Sequence, residues 1–172
     1  MKPQIIVITG IMAAGKSTVA ELLAARFTQG VHLRGDAFRK MIISGRVEMS
    51  SQPDEAALHQ LDLRYHLTAQ AAKGYYDAGF TVIVQDNYLG EKLPEFLNML
   101  ESYPVSVVVL CPDVEAVKKR EQERNKTGYI GFTVEELHSM FMETTPRIGL
   151  WLDTSHLTPD QTVESIIDYV QK

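Results

Sequence analysis

The chain has one cysteine, Cys111, so no internal disulfide can form and nothing marks an oxidising compartment. Placed directly after the apolar run 105–110, Cys111 reads as a small hydrophobe rather than a reactive thiol. No apolar stretch approaches the ~20 residues needed to cross a bilayer, and the amino terminus shows no charged-then-apolar signal pattern. No membrane partner is therefore expected, and the cytoplasm is the expected location. An excess of basic residues is missing too: 17 Lys and Arg against 22 Asp and Glu leave a formal charge of −5. That balance argues against a broad nucleic-acid surface and leaves room for a local basic pocket. The histidines, at positions 32, 59, 66, 138 and 156, are dispersed without zinc spacing, so no structural metal is expected. Internal repeats, low-complexity tracts and domain-sized linkers are absent, which makes one domain, 1–172, the economical count.

What is present alternates. Residues 4–9, 80–85 and 105–110 are short β-branched runs without polar alternation, as parallel strands covered on both faces should be; 31–34 and 148–152 are shorter candidates. Helical patterns fill the intervals at 16–28, about 36–44, 54–78, 92–101, 113–124, 133–143 and 159–171. In the longest, Leu58, Leu61, Tyr65, Ala69, Ala72 and Tyr76 recur at three or four residues and predict one apolar face. Strand and helix in turn imply right-handed crossovers and an α/β fold with a doubly wound parallel sheet.

Between the first strand and the first helix, Gly10, four residues and then Gly15-Lys16-Ser17 match G-x-x-x-x-G-K-[ST] in the context that this phosphate-binding loop requires. The cradle comprises Gly10, Ile11, Met12, Ala13, Ala14, Gly15, Lys16, Ser17 and Thr18. Small residues let backbone N–H groups and a positive helix terminus close on a polyanion. Lys16 is expected to reach the β- and γ-phosphates and Ser17 to ligate Mg²⁺. A nucleoside triphosphate site follows.

Ligands in such sheets lie beyond the carboxyl ends of the strands, which is where the sequence places its other candidates. Asp36, just past the second strand, suits a base for an acceptor hydroxyl, a Mg²⁺ group acting through water, or simply the N-cap of the next helix. Arg39 and Arg46 suit an anionic group on the acceptor. Asp86 closes "VIVQD" in the form of a Walker-B carboxylate, steering Mg²⁺ directly or through water, and Tyr88 follows where an acceptor would be contacted. Arg64 and His66 fit either an anion site or the wet face of the long helix. Arg120 and Arg124, spaced i and i+4 before the Gly-containing segment 125–132, suit a lid over the phosphates.

Taken together, "GIMAAGKST", "LRGDAFR", "VIVQD", "KREQER" and the terminal "WLDTSHLTPDQTVESI" make the chain resemble the compact P-loop kinases. Within them it is similar to the chloramphenicol phosphotransferase and zeta-toxin-like branch; gluconate, shikimate and nucleotide kinases are more distant relations. The resemblance implies a three-layer P-loop NTPase fold: a five-stranded parallel sheet in order 2-3-1-4-5, helices on both faces, and an arginine lid at about 120–135. It implies Mg²⁺-dependent transfer of the γ-phosphoryl group of ATP to a small acceptor, with Asp36 as base, Arg120 against the nucleotide base and Arg124 on its phosphates. It also points to 153–157 as a border of the base and to 36–90 as the source of most of the acceptor pocket. The residues that bind chloramphenicol do not map onto this chain, and GTP stays open as the donor. A nucleotide-binding ATPase or regulator without acceptor, and a nucleic-acid end kinase, are the competing functions. A GTPase is not, because "NKTG" at 125–128 lacks the acid of N-K-x-D.

Overall fold

The computed structural model describes residues 2–124, 129 and 131–172, and it is built around β1, Ile5–Thr9, the middle strand of five. All four of the apolar side chains Ile5, Ile6, Val7 and Ile8 are fully buried, which a strand achieves only with cover on both faces. Its neighbours are β3, Thr81–Gln85, and β4, Val105–Leu110; β2, Gly30–Arg34, and β5, Leu150–Leu152, form the edges. Every pairing is parallel and the order is β2-β3-β1-β4-β5, as the kinase resemblance implies. Val7 stands opposite Val84 on one side and Val107 on the other.

The period of two sorts the strand residues into two cores. Ile5, Val7, Val84 and Val109 pack under α3 (Glu55–Asp77), α4 (Lys92–Asn98), α5 (Val114–Glu123) and α6 (Val134–Thr144), through Tyr65, Ala69, Phe96, Val117 and Phe141. Ile6, Ile8, Ile83 and Val108 pack under α1 (Lys16–Ala24) and α7 (Pro159–Val170), through Val19, Leu23, Val163 and Ile166. Each such burial is worth roughly 1.5–3 kcal/mol, so the central strands carry more of the stability than the partly exposed edges β2 and β5. Cys111 packs, partly buried, against the first core.

Capping explains several helix starts. Asp54, Asp113, Thr133 and Thr158 each accept a backbone N–H in the first turn, and the two threonines form capping boxes with Glu136 and Gln161. Two expectations change. The helix after β2, α2 (Gly35–Met41), ends short of residue 44 because Ile42 is already extended. On α3 the buried face runs through Ala57, Tyr65, Thr68, Ala69 and Ala72, while Leu58 is 41 % exposed, one position off the face.

Candidate active site

The turn from β1 to α1 is shaped by what its residues omit. A Cβ at Gly10, whose φ is +147°, would lie 2.5 Å from the Leu110 backbone oxygen, so the loop can pass β4 only as glycine. Gly15 takes a left-handed φ of 93° as the residue before α1, and no side chain caps the helix. The first N–H groups of α1 therefore remain open to an anion. Ile11, Ala13 and Ala14 are buried beneath the loop, Met12 is partly buried, and Thr18 is exposed on α1.

Lys16 is buried, with Nζ donating to the carbonyls of Gly10 and Ile11 at 2.8 Å each. Burial pulls its ammonium down to about 7 against the opposing charge of Asp86, and Arg124 and Arg64 add to the depression. A polyphosphate would supply the negative charge this lysine lacks. The Ser17 hydroxyl donates to the Gln85 amide oxygen at 3.0 Å and receives Arg34 Nη2 at 3.4 Å. Among the described residues no group of three or more His, Cys, Asp or Glu gathers as a metal site. One hydroxyl and one amide oxygen suit Mg²⁺, which dehydrates reluctantly and arrives with phosphate oxygens.

Asp86 does not present a free carboxylate to a metal. It is 2 % exposed and held in a bidentate pair: Arg64 Nε donates to Oδ2 at 2.6 Å and Arg64 Nη2 donates to Oδ1, which also accepts the Asn87 N–H at 2.7 Å. The carboxylate expected to steer Mg²⁺ directly or through water is thus engaged at both oxygens by Arg64 and the Asn87 N–H. Of the two alternatives for Arg64, the wet face is the one the structure removes: its side chain is 12 % exposed. His66 does lie on the exposed face, its Nδ1 2.9 Å from the Asp62 carbonyl. Gln85, which no motif singled out, takes the place beside the P-loop serine.

Asp36 is not an N-cap. Arg34 precedes α2, and Asp36 lies in the first turn among cations: Arg39 Nε at 2.8 Å, Lys40 Nζ at 3.2 Å and Arg64 Nη1 at 3.7 Å. Partial burial works against its charge, but the hydrogen bonds from Arg39 and Lys40 and the charges of Arg39 and Arg64 prevail. The carboxyl is left below its ordinary value. Arg39 and Arg46 converge on Glu48, Arg39 through Nη1 and Arg46 through Nε at 3.2 Å, so a carboxylate of the chain itself occupies the pair expected for an acceptor anion.

Arg120 spans the P-loop and the segment after β5, donating to the Ala14 carbonyl at 3.3 Å and the Thr154 carbonyl at 2.6 Å. Arg124 is exposed at the end of α5, with Nη1 3.5 Å from Glu121. Of the expected lid, Asn125–Gly128 and Ile130 lie outside the described residues; the Tyr129 hydroxyl donates to the Met12 carbonyl at 2.7 Å.

Tyr88 corrects the sequence most plainly. It is fully buried, stacked on Phe96 at 4.1 Å between centroids, with no open face for an acceptor. Among the described residues its hydroxyl has no hydrogen-bond partner. Removing an orphaned buried hydroxyl relieves a desolvation cost, so Tyr88→Phe is expected to raise unfolding free energy by about 1 kcal/mol. It should leave the acceptor KM unchanged. Denaturant melts and steady-state kinetics read both, and a shifted KM would restore the ring to the acceptor site.

The AAA domain family model matches residues 5–145. Comparison with curated proteins gives no match. Among solved structures, the Mycobacterium tuberculosis APS kinase CysC in complex with AMPPNP and APS has a TM-score of 0.74 at 16% identity, covering 99% of this chain and 99% of its own. The Deinococcus radiodurans tunicamycin resistance protein has a TM-score of 0.74 at 17% identity, with coverage of 98% and 96%. An unliganded sugar kinase from Janibacter sp. has 0.69 at 18% identity, with coverage of 98% and 95%. At such identities the likeness is one of fold, while the family match spans most of the sequence and includes the P-loop. The chain belongs to the AAA domain family, with the five-stranded P-loop NTPase-like fold.

Proposed function

We propose that residues 1–172 act as one domain, a phosphotransferase that moves the γ-phosphoryl group of ATP, with Mg²⁺, to a hydroxyl of a small acceptor. The observation that carries this reading is the carboxylate of Asp36 held ionised by Arg39, Lys40 and Arg64 at the rim of β2, in a chain that also builds an uncapped P-loop. Kinase names among the structural neighbours, a gluconokinase from Sinorhizobium meliloti included, support the reaction class. The resemblance to the chloramphenicol phosphotransferase and zeta-toxin-like branch is its finer form.

In this reading the P-loop amides and Lys16 bind the β- and γ-phosphates, and Arg120 borders the nucleotide base. Asp36 orients the acceptor hydroxyl and takes its proton. Arg39 and Arg46 exchange Glu48 for an anionic group of the acceptor, and Arg124 adds positive charge where the transferred group becomes exposed. Ser17 would hold Mg²⁺, which would supply neutralisation of the charge on the β- and γ-phosphates.

The test is transfer from γ-labelled ATP with Mg²⁺ into a metabolite extract. Wild type is expected to label a small molecule that Lys16→Ala does not. No labelled product from wild type that still binds ATP would replace the kinase by a nucleotide-gated regulator.

A further inference from the structure

The pair Arg64–Asp86 asks for an explanation that stability does not supply. Both side chains are nearly buried, and a buried ion pair generally gains no more stability than a well-packed apolar pair of the same volume. The chain nevertheless accommodates it at several points. Glycine at position 35 lets the Asp86 carboxylate approach, since a Cβ there would sit 2.0 Å from Oδ2. The Asn87 N–H and Arg64 Nε and Nη2 engage both oxygens, and the Thr68 hydroxyl, one turn on, donates to the Arg64 carbonyl at 2.7 Å. What remains of the guanidinium, Nη1, stands 3.7 Å from Asp36 Oδ1. Arg64 thus joins the end of β3 to the carboxylate beyond β2, while Gln85 braces the P-loop serine.

We infer that Arg64 is a positioning residue for phosphoryl transfer: Asp86 anchors its guanidinium, and its free edge holds the Asp36 carboxylate where the acceptor hydroxyl must meet the phosphoryl group. This rests on the phosphotransferase reading and deepens it, because the second carboxylate becomes an anchor for an arginine instead of a metal group. Asp36 retains Arg39 and Lys40 from its own helix, but α2 turns only twice and ends at Met41; Arg64 is the cation that reaches Asp36 from the sheet-backed helix α3.

The experiment compares wild type, Arg64→Met, Arg64→Lys, Asp86→Asn and the double variant Arg64→Met/Asp86→Asn on the acceptor found by label transfer. Loss of positioning by about an ångström costs roughly 10²-fold, so Arg64→Met is expected to lower kcat by about that factor with the Kd for MgATP within about twofold. Arg64→Lys, which keeps the charge and loses the fork, should recover part of the loss. The double variant removes both buried charges, so its melting temperature is expected to return toward wild type while kcat stays down; a purely structural pair would regain both. Nucleotide affinity with and without Mn²⁺ gives a readout independent of turnover: Asp86→Asn should keep the metal-dependent gain and Gln85→Ala should reduce it. Wild-type kcat in Arg64→Met, recovery of kcat in the double variant, or loss of the metal-dependent gain in Asp86→Asn would each overturn the inference with the kinase reading intact. Absence of transfer by wild type would overturn both.

Discussion

Asp36→Asn is expected to lower turnover by about 10³-fold while leaving the Kd for MgATP within about twofold, measured by initial rates on the labelled acceptor and by titration calorimetry. General-base assistance contributes ~10²–10⁴-fold, and asparagine keeps the size of the side chain while losing the charge and the proton-accepting oxygen. The surroundings of Asp36 decide what kind of base it is. Arg39 and Lys40 hold its carboxyl below the ordinary 3.8 despite the opposing effect of partial burial, so it is ionised whenever the protein is at working pH. The same cations make it a weak base. In the proposed transfer its work would then be mostly orientation of the hydroxyl in a loose transition state, which asks little proton transfer of it until late. A pH profile separates the roles. Because the folded-state value is depressed below the ordinary 3.8, the rate should not fall on account of Asp36 between pH 5 and 7. An acid limb centred near 6 would assign the base to another group. Near-normal turnover by Asp36→Asn would remove Asp36 from catalysis.

How much of this was readable before folding depends on the range of the interactions. The P-loop is local: Gly10, Gly15 and Lys16 lie within one turn of chain, and Lys16 finds its partners five and six residues back. The strands were legible because residues 5–8, 82–84 and 107–110 are buried on both faces and therefore apolar without a break, a property of each segment by itself. The short edge β5, with intermediate burial, and the early stop of α2 carried weaker signals. Arg64 was not legible for a different reason. It belongs to the buried face of α3, between Leu61 and Thr68 at spacings of three and four, but a charged residue at the border of an apolar face reads as solvent until its counter-charge is known. That counter-charge lies 22 residues away, across the turn into β3. An arginine at that spacing on an otherwise buried face was the available signal. Tyr88 failed in the opposite direction. Its position past a strand end suggested the rim, but the Thr9 hydroxyl accepts its N–H and donates to its carbonyl, both at 2.9 Å, which turns the chain back so that the ring enters the core beside Tyr65 and Phe96.

Lys16 links the site to pH in a way the motif does not announce, and its replacement carries the second large effect. Lys16→Ala is expected to lower kcat/KM by about 10³-fold, since it removes the cation aimed at the oxygens that gain charge in transfer. The subtler consequence follows from the resting state, in which Nζ donates, among the described residues, only to the neutral carbonyls of Gly10 and Ile11 and burial has pulled its ammonium down to about 7. Triphosphate replaces those partners with anionic oxygens and raises the group again. Binding therefore takes up a proton at pH 8, and affinity is full below about 7 and falls as pH rises through that value, by at most ~tenfold per unit. Fold stability moves the other way: the unfolded lysine binds its proton up to an ordinary 10.5, so between about 7 and 10.5 this residue makes the free protein more stable as pH rises. Calorimetry of MgATP binding at pH 8 in two buffers of different ionisation enthalpy measures the uptake directly. Lys16→Arg, charged at every pH in this range, is expected to bind without it. Equal apparent enthalpies for the wild type in the two buffers would mean that Lys16 already carries its proton in the free protein, and that the loop is poised for phosphate by charge as well as by shape.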